Sequence, residues 1–493
     1  MDYLFYDLYS VVSEIYVLWG ACIVLIYGVF FTSSSFLGFP ILNRSMGWVS
    51  LQILLFGLIL LLAQEQINLV SWNGFLILNN FSHGAKIIIL GFSPMWILLA
   101  YHHSFHQKLN SFEFWILILL VIIAMLLVIQ SCDLLSVYLT IEFQSLIFYI
   151  LASFNRTSEF STEAGLKYFI LGAFSSALLL FGSSLLYGLT GLTNFNDFTN
   201  LFTGFVNTNL IDTIGIITGL VFIISALFFK ISASPFHMWV PDVYEGANII
   251  ITALFSVFPK LPIFAVLVKL LLFSFHDLIG YWSLLVLISA LFSLITGVLG
   301  ALTQSKWKRF MAYSSINHIG FMLIALSSGS KEGVFSLVTY ILVYMITTLG
   351  TFSFIMSLKL YTYPKELQSR YLKNLKMISN TNPLLAISMT IFLFSMAGIP
   401  PLVGFFSKLF ILITAIKNNI IGISVLAILL NCIACFYYIR LIKNMYFDSE
   451  HYWPILVPTT KFNSLLLGIS LMSLLFLILD LELILTIPTF MIL

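Results

Sequence analysis

The sequence predicts an all-α polytopic membrane protein with about fourteen transmembrane helices. Of its 493 residues, 60% are hydrophobic and only 9% are charged, whereas soluble domains are about 25% charged. Apolar stretches recur along the whole chain, and most are close to the ~20 residues that cross a bilayer. Basic residues are concentrated in alternate connecting segments, as in proteins that cross a membrane many times.

Fourteen apolar stretches define the predicted spans. They cover residues 10–31, 48–64, 85–101, 112–130, 133–153, 164–190, 213–240, 249–272, 279–302, 310–328, 333–358, 383–416, 418–439 and 463–487. Spans seven and twelve are unusually long and contain proline, as broken helices do. Residues 1–9 lack the basic region and the cleavage site of a signal peptide, so we expect the first span to be retained.

The Lys and Arg residues predict the orientation of the chain. Fourteen of the 22 lie in segments that follow odd-numbered spans, two in segments that follow even-numbered spans, and six within spans. The positive-inside rule places the segments after odd-numbered spans on the cytoplasmic or matrix side. With an even number of spans, both termini are then expected on the opposite, outer side.

The two unusually long spans with proline, seven and twelve, also predict an internal repeat. Their helix breaks are expected at Pro235 in span seven and at Gly398, Pro400 and Pro401 in span twelve. Each is the fourth helix of a set of five, in spans 4–8 and 9–13, and because five is odd the second set is inverted. Paired broken helices in inverted repeats mark the ion pathway of many transporters. The predicted parts are an N-terminal three-helix segment (1–111), the two repeats (112–272 and 279–442) and a C-terminal part with helix 14 (443–493).

Charged residues inside the spans are the candidate functional residues. They are Glu142, Lys167, Lys230, Lys260 and Lys408, in spans five, six, seven, eight and twelve. Each charge at the centre of a spanning helix costs roughly 2.5–3.5 kcal/mol, so these groups must be paired, hydrated or partly neutral. A Glu–Lys pair that opens and closes can act as a proton switch, because a carboxylate favours the protonated lysine and burial disfavours it. We expect Glu142 to tune Lys167 or Lys230, Lys260 to relay protons through the centre, and Lys408 to form the outlet.

Plainer explanations stay open for several polar residues. The charges in the spans could form static ion pairs or lie at the membrane interface. His318 in span ten is either a further proton link or a structural residue. The remaining expectations are that Lys86 and Lys269 snorkel to the interface, that Glu14 faces headgroups or a neighbouring subunit, and that Asp242 and Glu245 either collect protons or solubilise their loop.

Motifs for other chemistries are not found in the sequence. It has no G-x-G-x-x-G or Walker A phosphate loop, no haem or iron–sulfur spacing, and no basic–aromatic patch for nucleic acid. Cys432 and Cys435 form a C-x-x-C inside an apolar helix without a second pair, so we expect packing residues and no metal site. The chain is therefore expected to hold no redox centre and to hydrolyse no nucleotide.

Four stretches carry a resemblance to a known family. They are residues 141–191, 228–246 (FFKISASPFHMWVPDVYEG), 304–322 (QSKWKRFMAYSSINHIGFM) and 381–412, which contains FSMAGIPPLVGFFSKLF. Over about residues 10–487, the chain resembles the subunit 2 family among the antiporter-like membrane subunits of the proton-pumping NADH:ubiquinone oxidoreductase, or respiratory complex I. The motifs are most similar to the mitochondrially encoded type with fourteen spans.

The resemblance implies a function, partners and a location. Matched position by position, Glu142, Lys167, Lys230, Lys260 and Lys408 form a hydrophilic axis in mid-membrane that is assigned to proton translocation. NADH, FMN, iron–sulfur clusters and ubiquinone are expected to bind other subunits, where quinone reduction supplies the energy. Expected partners are other membrane-arm subunits, including the antiporter-like subunit 4 and the small subunit 4L, and membrane lipids. The expected location is the mitochondrial inner membrane with both termini in the intermembrane space, or alternatively a bacterial plasma membrane or a thylakoid.

Two departures from the family pattern and two alternative functions accompany the resemblance. Asn317 stands where the family motif AYSSIGH has glycine, and Ala247 opens an apolar run where the family often has Ser, Thr and Pro. Relatives with the same fold are subunits of multisubunit Na⁺/H⁺ antiporters, membrane-bound hydrogenases and the plastid complex. A membrane scaffold with static charges is the alternative from another class. The similarity of the motifs favours a subunit of complex I.

Overall fold

A computed structural model describes residues 2–31, 43–65, 67–106, 111–203, 210–362, 365–448 and 455–492. The fold is helical and polytopic, as the sequence predicts. Within these residues, thirteen helices are long and apolar enough to cross a membrane. Predicted span twelve is not among them, because it forms two helices of 15 residues each.

The helices and strands follow one another along the whole chain. Up to residue 231 they are α1 (Asp2–Ser10), α2 (Val12–Phe31), α3 (Asn43–Ala63), β1 (Leu69–Ser71), β2 (Leu76–Leu78), α4 (Asn80–His106), α5 (Glu113–Gln130), α6 (Leu134–Ala152), α7 (Glu159–Thr190), α8 (Phe195–Phe202) and α9 (Leu210–Ile231). From there to residue 302 they are α10 (Trp239–Gly246), α11 (Ile249–Val257), α12 (Lys260–Val268), a π-helical segment (Lys269–Ser274), a 3₁₀ turn (His276–Leu278) and α13 (Ile279–Leu302).

The last third of the chain contains the remaining elements. They are α14 (Trp307–Ser327), α15 (Lys331–Ser357), β3 (Lys359–Thr362), β4 (Lys365–Gln368), a 3₁₀ turn (Leu372–Leu375), α16 (Ile378–Thr381), α17 (Pro383–Ala397), α18 (Val403–Lys417), α19 (Ile421–Tyr446), α20 (Lys461–Leu479) and α21 (Glu482–Ile492). The two antiparallel hairpins pair Leu69 with Leu78 and Lys359 with Gln368. The predicted all-α class did not include these hairpins. Their strands have only three or four residues and are too short to stand out beside apolar stretches of ~20 residues.

The chain forms two compact units. Unit 1 consists of Met1–Ile231, Phe258–Trp282 and Thr489–Leu493, and unit 2 consists of Ser232–Val257 and Ser283–Pro488. Two of the boundaries fall at residues 231/232 and 257/258, next to the breaks in spans seven and eight. The predicted division into a three-helix segment, two inverted repeats and a C-terminal helix stays a prediction.

Local sequence signals set the ends of the helices that carry candidate residues in unit 1. Asp133 caps α6, because its side chain accepts a hydrogen bond from the Leu135 amide at 2.8 Å. Ser158 caps α7 through the Ser161 amide at 3.1 Å. Helix α7 ends at Gly191, whose φ of +70° is a left-handed conformation that favours glycine.

Four predicted spans are interrupted. One is span fourteen (463–487), because α20 ends at Leu479 and α21 begins at Glu482. Helix α9 ends at Ile231, so predicted span seven (213–240) is too long and the chain is irregular up to Trp239, across the expected break. The break in span twelve lies between Ala397 and Val403, as expected. Predicted span eight (249–272) is wrong as a continuous helix, because α11 ends just before Phe258 and Pro259 and α12 begins after them. Proline lacks the backbone N–H that continues a helix.

The tight crossing of α7 and α9 in unit 1 gives a test of the packing. A Cβ atom added to Gly182 would lie 2.7 Å from the carbonyl oxygen of Gly219, so the two helices can approach this closely only with glycine there. We expect Gly182→Ala to destabilise the protein by about 1–3 kcal/mol through overpacking. This is measured as a lower melting temperature of the detergent-solubilised protein.

The matched control is Gly188→Ala on the same helix. A Cβ atom at Gly188 meets nothing within 4 Å. This variant is therefore expected to keep or slightly raise the melting temperature, because alanine has a higher helix propensity than glycine. Equal melting temperatures for the two variants would contradict the close crossing.

Candidate functional site

Lys230 lies in the last turn of α9, directly before the break in span seven. Its Nζ is 3.5 Å from the Tyr149 hydroxyl and 5.9 Å from the centroid of the Tyr149 ring. Glu142, on the same helix as Tyr149, interacts electrostatically with Lys230. Of the two lysines expected beside Glu142, the structure therefore places Lys230 there.

A row of polar groups on α6 connects Glu142 to Lys230. Glu142, Ser145 and Tyr149 are spaced by three and four residues, which places them on one face of the helix. Ser145 Oγ lies 3.1 Å from the Glu142 carbonyl oxygen and 3.4 Å from Glu142 Oε2. Ser145 also lies one turn before Tyr149 and interacts electrostatically with its hydroxyl. The carboxylate and the two hydroxyls are thus on the same face of α6, and the last hydroxyl is the one beside Lys230.

Tyr149 is held in place by α7. Its hydroxyl lies against the backbone of Gly172, where any larger residue would collide with it. Its ring packs edge-on against Tyr168, with the centroids 4.9 Å apart. The position of this hydroxyl beside Lys230 therefore depends on a glycine in the neighbouring helix.

Lys167 occupies a different environment. Its side chain is 44% exposed within the chain, and its Nζ lies 2.7 Å from Glu163 Oε1, one turn earlier on α7. The pair lies on a helix with many exposed apolar residues, including Phe160, Leu166 and Ile170. Lys167 is thus presented at the surface of the chain.

Lys260 is the first residue of α12 and lies directly after the break in span eight. Its side chain is buried. Helix α12 packs against α5 and α9 in unit 1. Lys260 therefore lies in the interior of the unit, next to a helix interruption that the sequence analysis did not predict.

Lys408 is bound by the end of a broken helix in unit 2. Its Nζ donates to the carbonyl oxygens of Met396 at 2.8 Å and Ala397 at 2.9 Å, and to Asn431 Oδ1 at 2.6 Å. The two carbonyls are the last of α17, and the C-terminus of a helix carries partial negative charge. Gly398 allows this contact, since a Cβ atom there would lie 2.8 Å from Lys408 Cδ, and its φ is +78°.

His318 connects to the same region of unit 2 through tyrosines. Its Nδ1 lies 2.7 Å from the Tyr340 hydroxyl and its Nε2 3.4 Å from the Tyr438 hydroxyl. His318, Tyr340, Tyr344 and Lys408 line one small cavity, which has room for about one water molecule. Both ring nitrogens of His318 therefore face groups that can donate or accept a proton.

The acidic residues after the break in span seven are engaged in ion pairs. Asp242 Oδ1 lies 2.9 Å from Arg309, and Glu245 contacts both Arg309 and Lys306. These partly exposed pairs connect α10 to the beginning of α14, both in unit 2. This arrangement gives Asp242 and Glu245 a role in holding the segment after the break.

Two lysines that were expected at the interface are buried. Lys86 is fully buried and pairs with Glu14, which is 2% exposed, so the expectations that Lys86 snorkels and that Glu14 faces headgroups are wrong. Lys269 is also buried, and its Nζ donates to the carbonyl oxygens of Ile129 and Ser131. Neither lysine needs the interface, because a carboxylate in one case and helix-end carbonyls in the other satisfy the ammonium.

Some of these residues escaped the sequence analysis although signals for them exist. Tyr149 lies seven residues after Glu142, a spacing that puts two residues on one helix face. Glu14 and Lys86 are opposite charges near the same predicted membrane side, in apolar spans one and three, and such charges tend to pair inside a membrane. No sequence signal marks Asn431, because its role depends on the packing of α19 against α17.

Comparisons with known proteins place this architecture in a family. Residues 131–434 match the family described as NADH:quinone oxidoreductase/Mrp antiporter, transmembrane. NADH-ubiquinone oxidoreductase chain 2 of Marchantia polymorpha is 41% identical over 469 residues, which are 94% of this chain and 94% of that protein.

Solved structures share the fold at lower identity. A chain of respiratory complex I from Thermus thermophilus with bound aureothin has a TM-score of 0.78 at 24% identity, covering 96% of this chain and 98% of that one. A chain of the Mrp complex from Dietzia sp. DQ12-45-1b has a TM-score of 0.82 at 18% identity, with 98% and 97% covered. Since the family match covers more than half of the sequence and the Marchantia similarity nearly all of it, the chain belongs to the NADH:quinone oxidoreductase/Mrp antiporter transmembrane family.

Proposed function

We propose that the chain is an antiporter-like, proton-translocating subunit in the membrane arm of an NADH:ubiquinone oxidoreductase. Protons move along an axis formed by Glu142, Lys230, Lys260 and Lys408, and quinone reduction in other subunits drives them. The observation that carries this proposal is the Glu142–Ser145–Tyr149–Lys230 row of unit 1, which ends beside the break in span seven.

The chemistry of this row suits a switch. Lys230 has an ammonium that an anion stabilises and a long, weak contact of 3.5 Å to a hydroxyl. Movement of Lys230 away from Glu142 removes the stabilising anion, and the low-dielectric surroundings then favour release of its proton. Movement back favours uptake. The irregular segment that follows Ile231 leaves the end of α9 unconstrained by a continuous helix.

Unit 2 contributes the second group of the axis. Three acceptors hold the Lys408 ammonium, and His318 shares a cavity with it. A histidine between two tyrosine hydroxyls can accept a proton on one nitrogen and release one from the other. We assign Lys408 and His318 to the outlet part of the axis, and Lys260 to the relay in unit 1.

The surface position of Lys167 supports contact between this chain and other subunits. An exposed Lys–Glu pair on an apolar helix face is costly against lipid, and a neighbouring subunit can cover it. We propose that other membrane-arm subunits, including the antiporter-like subunit 4 and the small subunit 4L, surround this chain with membrane lipids. Lys167 then belongs to the proton axis where that axis meets a neighbour.

The location and cofactor content follow from the same proposal. We place the chain in the mitochondrial inner membrane as a multi-pass protein, with both termini in the intermembrane space, because basic residues follow odd-numbered spans. NADH, FMN, iron–sulfur clusters and ubiquinone bind other subunits. A subunit of a multisubunit cation/proton antiporter is the alternative. The 41% identity to NADH-ubiquinone oxidoreductase chain 2 of Marchantia polymorpha favours the first proposal.

Removing either member of the Glu142–Lys230 pair tests the proposal. We expect Lys230→Ala and Glu142→Ala to permit assembly of the complex but to lower coupled proton pumping roughly tenfold or more, because each variant removes one of the two charges whose interaction sets the protonation of the switch. Pumping is measured in vesicles as acidification driven by NADH oxidation. The control is Lys417→Ala, which removes an exposed ion pair to Glu332 worth about 0–1 kcal/mol. Normal pumping in both pair variants would refute the switch.

Tyr149 provides a milder test of the same row. Tyr149→Phe keeps the ring beside Lys230 and removes the hydroxyl between Ser145 and the ammonium. We expect the pumping rate to fall roughly 2- to 10-fold, which matches the ~0.5–1.5 kcal/mol of one hydrogen bond. Tyr187→Phe on α7, where the side chain is exposed, is the matched control and should pump normally. An unchanged rate in Tyr149→Phe would show that the hydroxyl is not part of the path.

A further inference from the structure

Unit 1 contains a buried Glu–Lys ion pair that the proposed axis does not include. Glu14 Oε1 and Lys86 Nζ are in direct contact, and the side chains are 2% and 0% exposed. Ser13 Oγ donates to the other carboxylate oxygen of Glu14 at 2.8 Å. A buried ion pair is seldom more stable than well-packed apolar residues of the same volume. Stability is therefore a weak reason for its presence.

The pair lies near one membrane surface. Glu14 is in the first turn of α2, and Lys86 is six residues, or about 9 Å, from the beginning of α4. Because α3 lies between them in the chain, α2 and α4 begin on the same side of the membrane. The orientation predicted from the basic residues makes this the outer side.

A third buried group of unit 1, Lys269, follows helix α12, which packs against the helix of Lys86. Lys269 interacts electrostatically with Lys86, and it is held by the carbonyl oxygens of Ile129 and Ser131 at the end of α5. It begins a π-helical segment, a feature frequent at functional sites. Lys260 lies nine residues earlier on the same continuous helix, about 14 Å deeper in the membrane.

Polar groups also lie on the outer side of the pair. Ser10, one turn before Glu14, donates to Ser71 Oγ of β1 at 2.8 Å, and Gln130 Nε2 donates to the Ser10 carbonyl oxygen at 2.8 Å. Gln130 Oε1 and His83 Nδ1 are buried and have no hydrogen-bond partner among the residues that the structure describes. A buried polar atom without a protein partner is a place for water or a mobile proton.

We propose that Lys269, Lys86 and Glu14 form a proton outlet from unit 1 to the outer membrane surface, in addition to the path through unit 2. This inference rests on the proposed function. Lys86 passes its proton to the Glu14 carboxylate, so the ion pair becomes a neutral amine and a neutral acid. Glu14 then releases the proton to water at the outer surface, and the Lys269 ammonium reprotonates Lys86. One proton leaves for each proton that reaches Lys269, and the ion pair is restored.

Two variants separate an outlet from a static ion pair. The double variant Glu14→Leu/Lys86→Met replaces the pair by apolar residues of similar volume, which a purely structural pair tolerates. Lys86→Arg keeps the positive charge, but a guanidinium does not release its proton in proteins. Both are made in the assembled complex and reconstituted in vesicles, and the readout is the number of protons translocated per NADH oxidised.

We expect both variants to assemble, to oxidise NADH and to lose part of the protons translocated per NADH. The matched control, Glu332→Leu/Lys417→Met, makes the same replacements in an exposed pair of unit 2 and should keep the parental ratio. A parental ratio in the double variant overturns the outlet. If only one of the two variants assembles, a parental ratio in that variant overturns the outlet and a lower ratio supports it.

A parallel measurement distinguishes failure of the outlet from failure of the proposed function. Glu142→Ala is assayed in the same vesicles. If Glu142→Ala pumps poorly while the double variant at Glu14 and Lys86 pumps normally, only the outlet is refuted. If Glu142→Ala also pumps normally, the proposed proton axis itself is refuted.

Discussion

The need to stabilise positive charge inside an apolar membrane is the constraint on which the rest of the structure depends. The structure meets it in two ways. Lys86 has a carboxylate partner and Lys230 has a carboxylate and a hydroxyl nearby, whereas Lys269 and Lys408 bind the carbonyl oxygens at helix ends. Helix ends within a membrane offer such carbonyls only where a helix is broken or short. At Lys408, the helix break and the lysine are therefore two parts of one arrangement.

The strength of these contacts differs between the two units. Lys408 has three acceptors within 2.9 Å, so its ammonium is well fixed. The Lys230 ammonium lies 3.5 Å from the Tyr149 hydroxyl, and the anion that stabilises it, Glu142, lies farther along the helix of Tyr149. A weakly held charge next to an irregular segment can change its partner at low cost, while a strongly held one cannot. In the proposed axis, this contrast favours Lys230 as the group that changes partner and Lys408 as an outlet group whose position is fixed.

The sequence alone predicted the membrane class and most of the spans. Hydropathy succeeds there because each span must be apolar along its own length. It failed for Lys86 and Lys269, because a position near the end of an apolar run does not reveal whether a neighbouring helix covers it. The break at Phe258 was missed although Pro259 lies within predicted span eight, because proline was read as a sign of a break only in the two unusually long spans. The residue placed beside Lys230, Tyr149, also depends on packing against Gly172 in another helix.

The most direct test of the central claim is a structure of the assembled complex during NADH oxidation, at a resolution that shows water near Lys230. The account predicts two arrangements, one with Lys230 close to Glu142 and one with Lys230 turned away and in contact with ordered water. A single arrangement in all turnover states, with the same pairing and no water at Lys230, would contradict it.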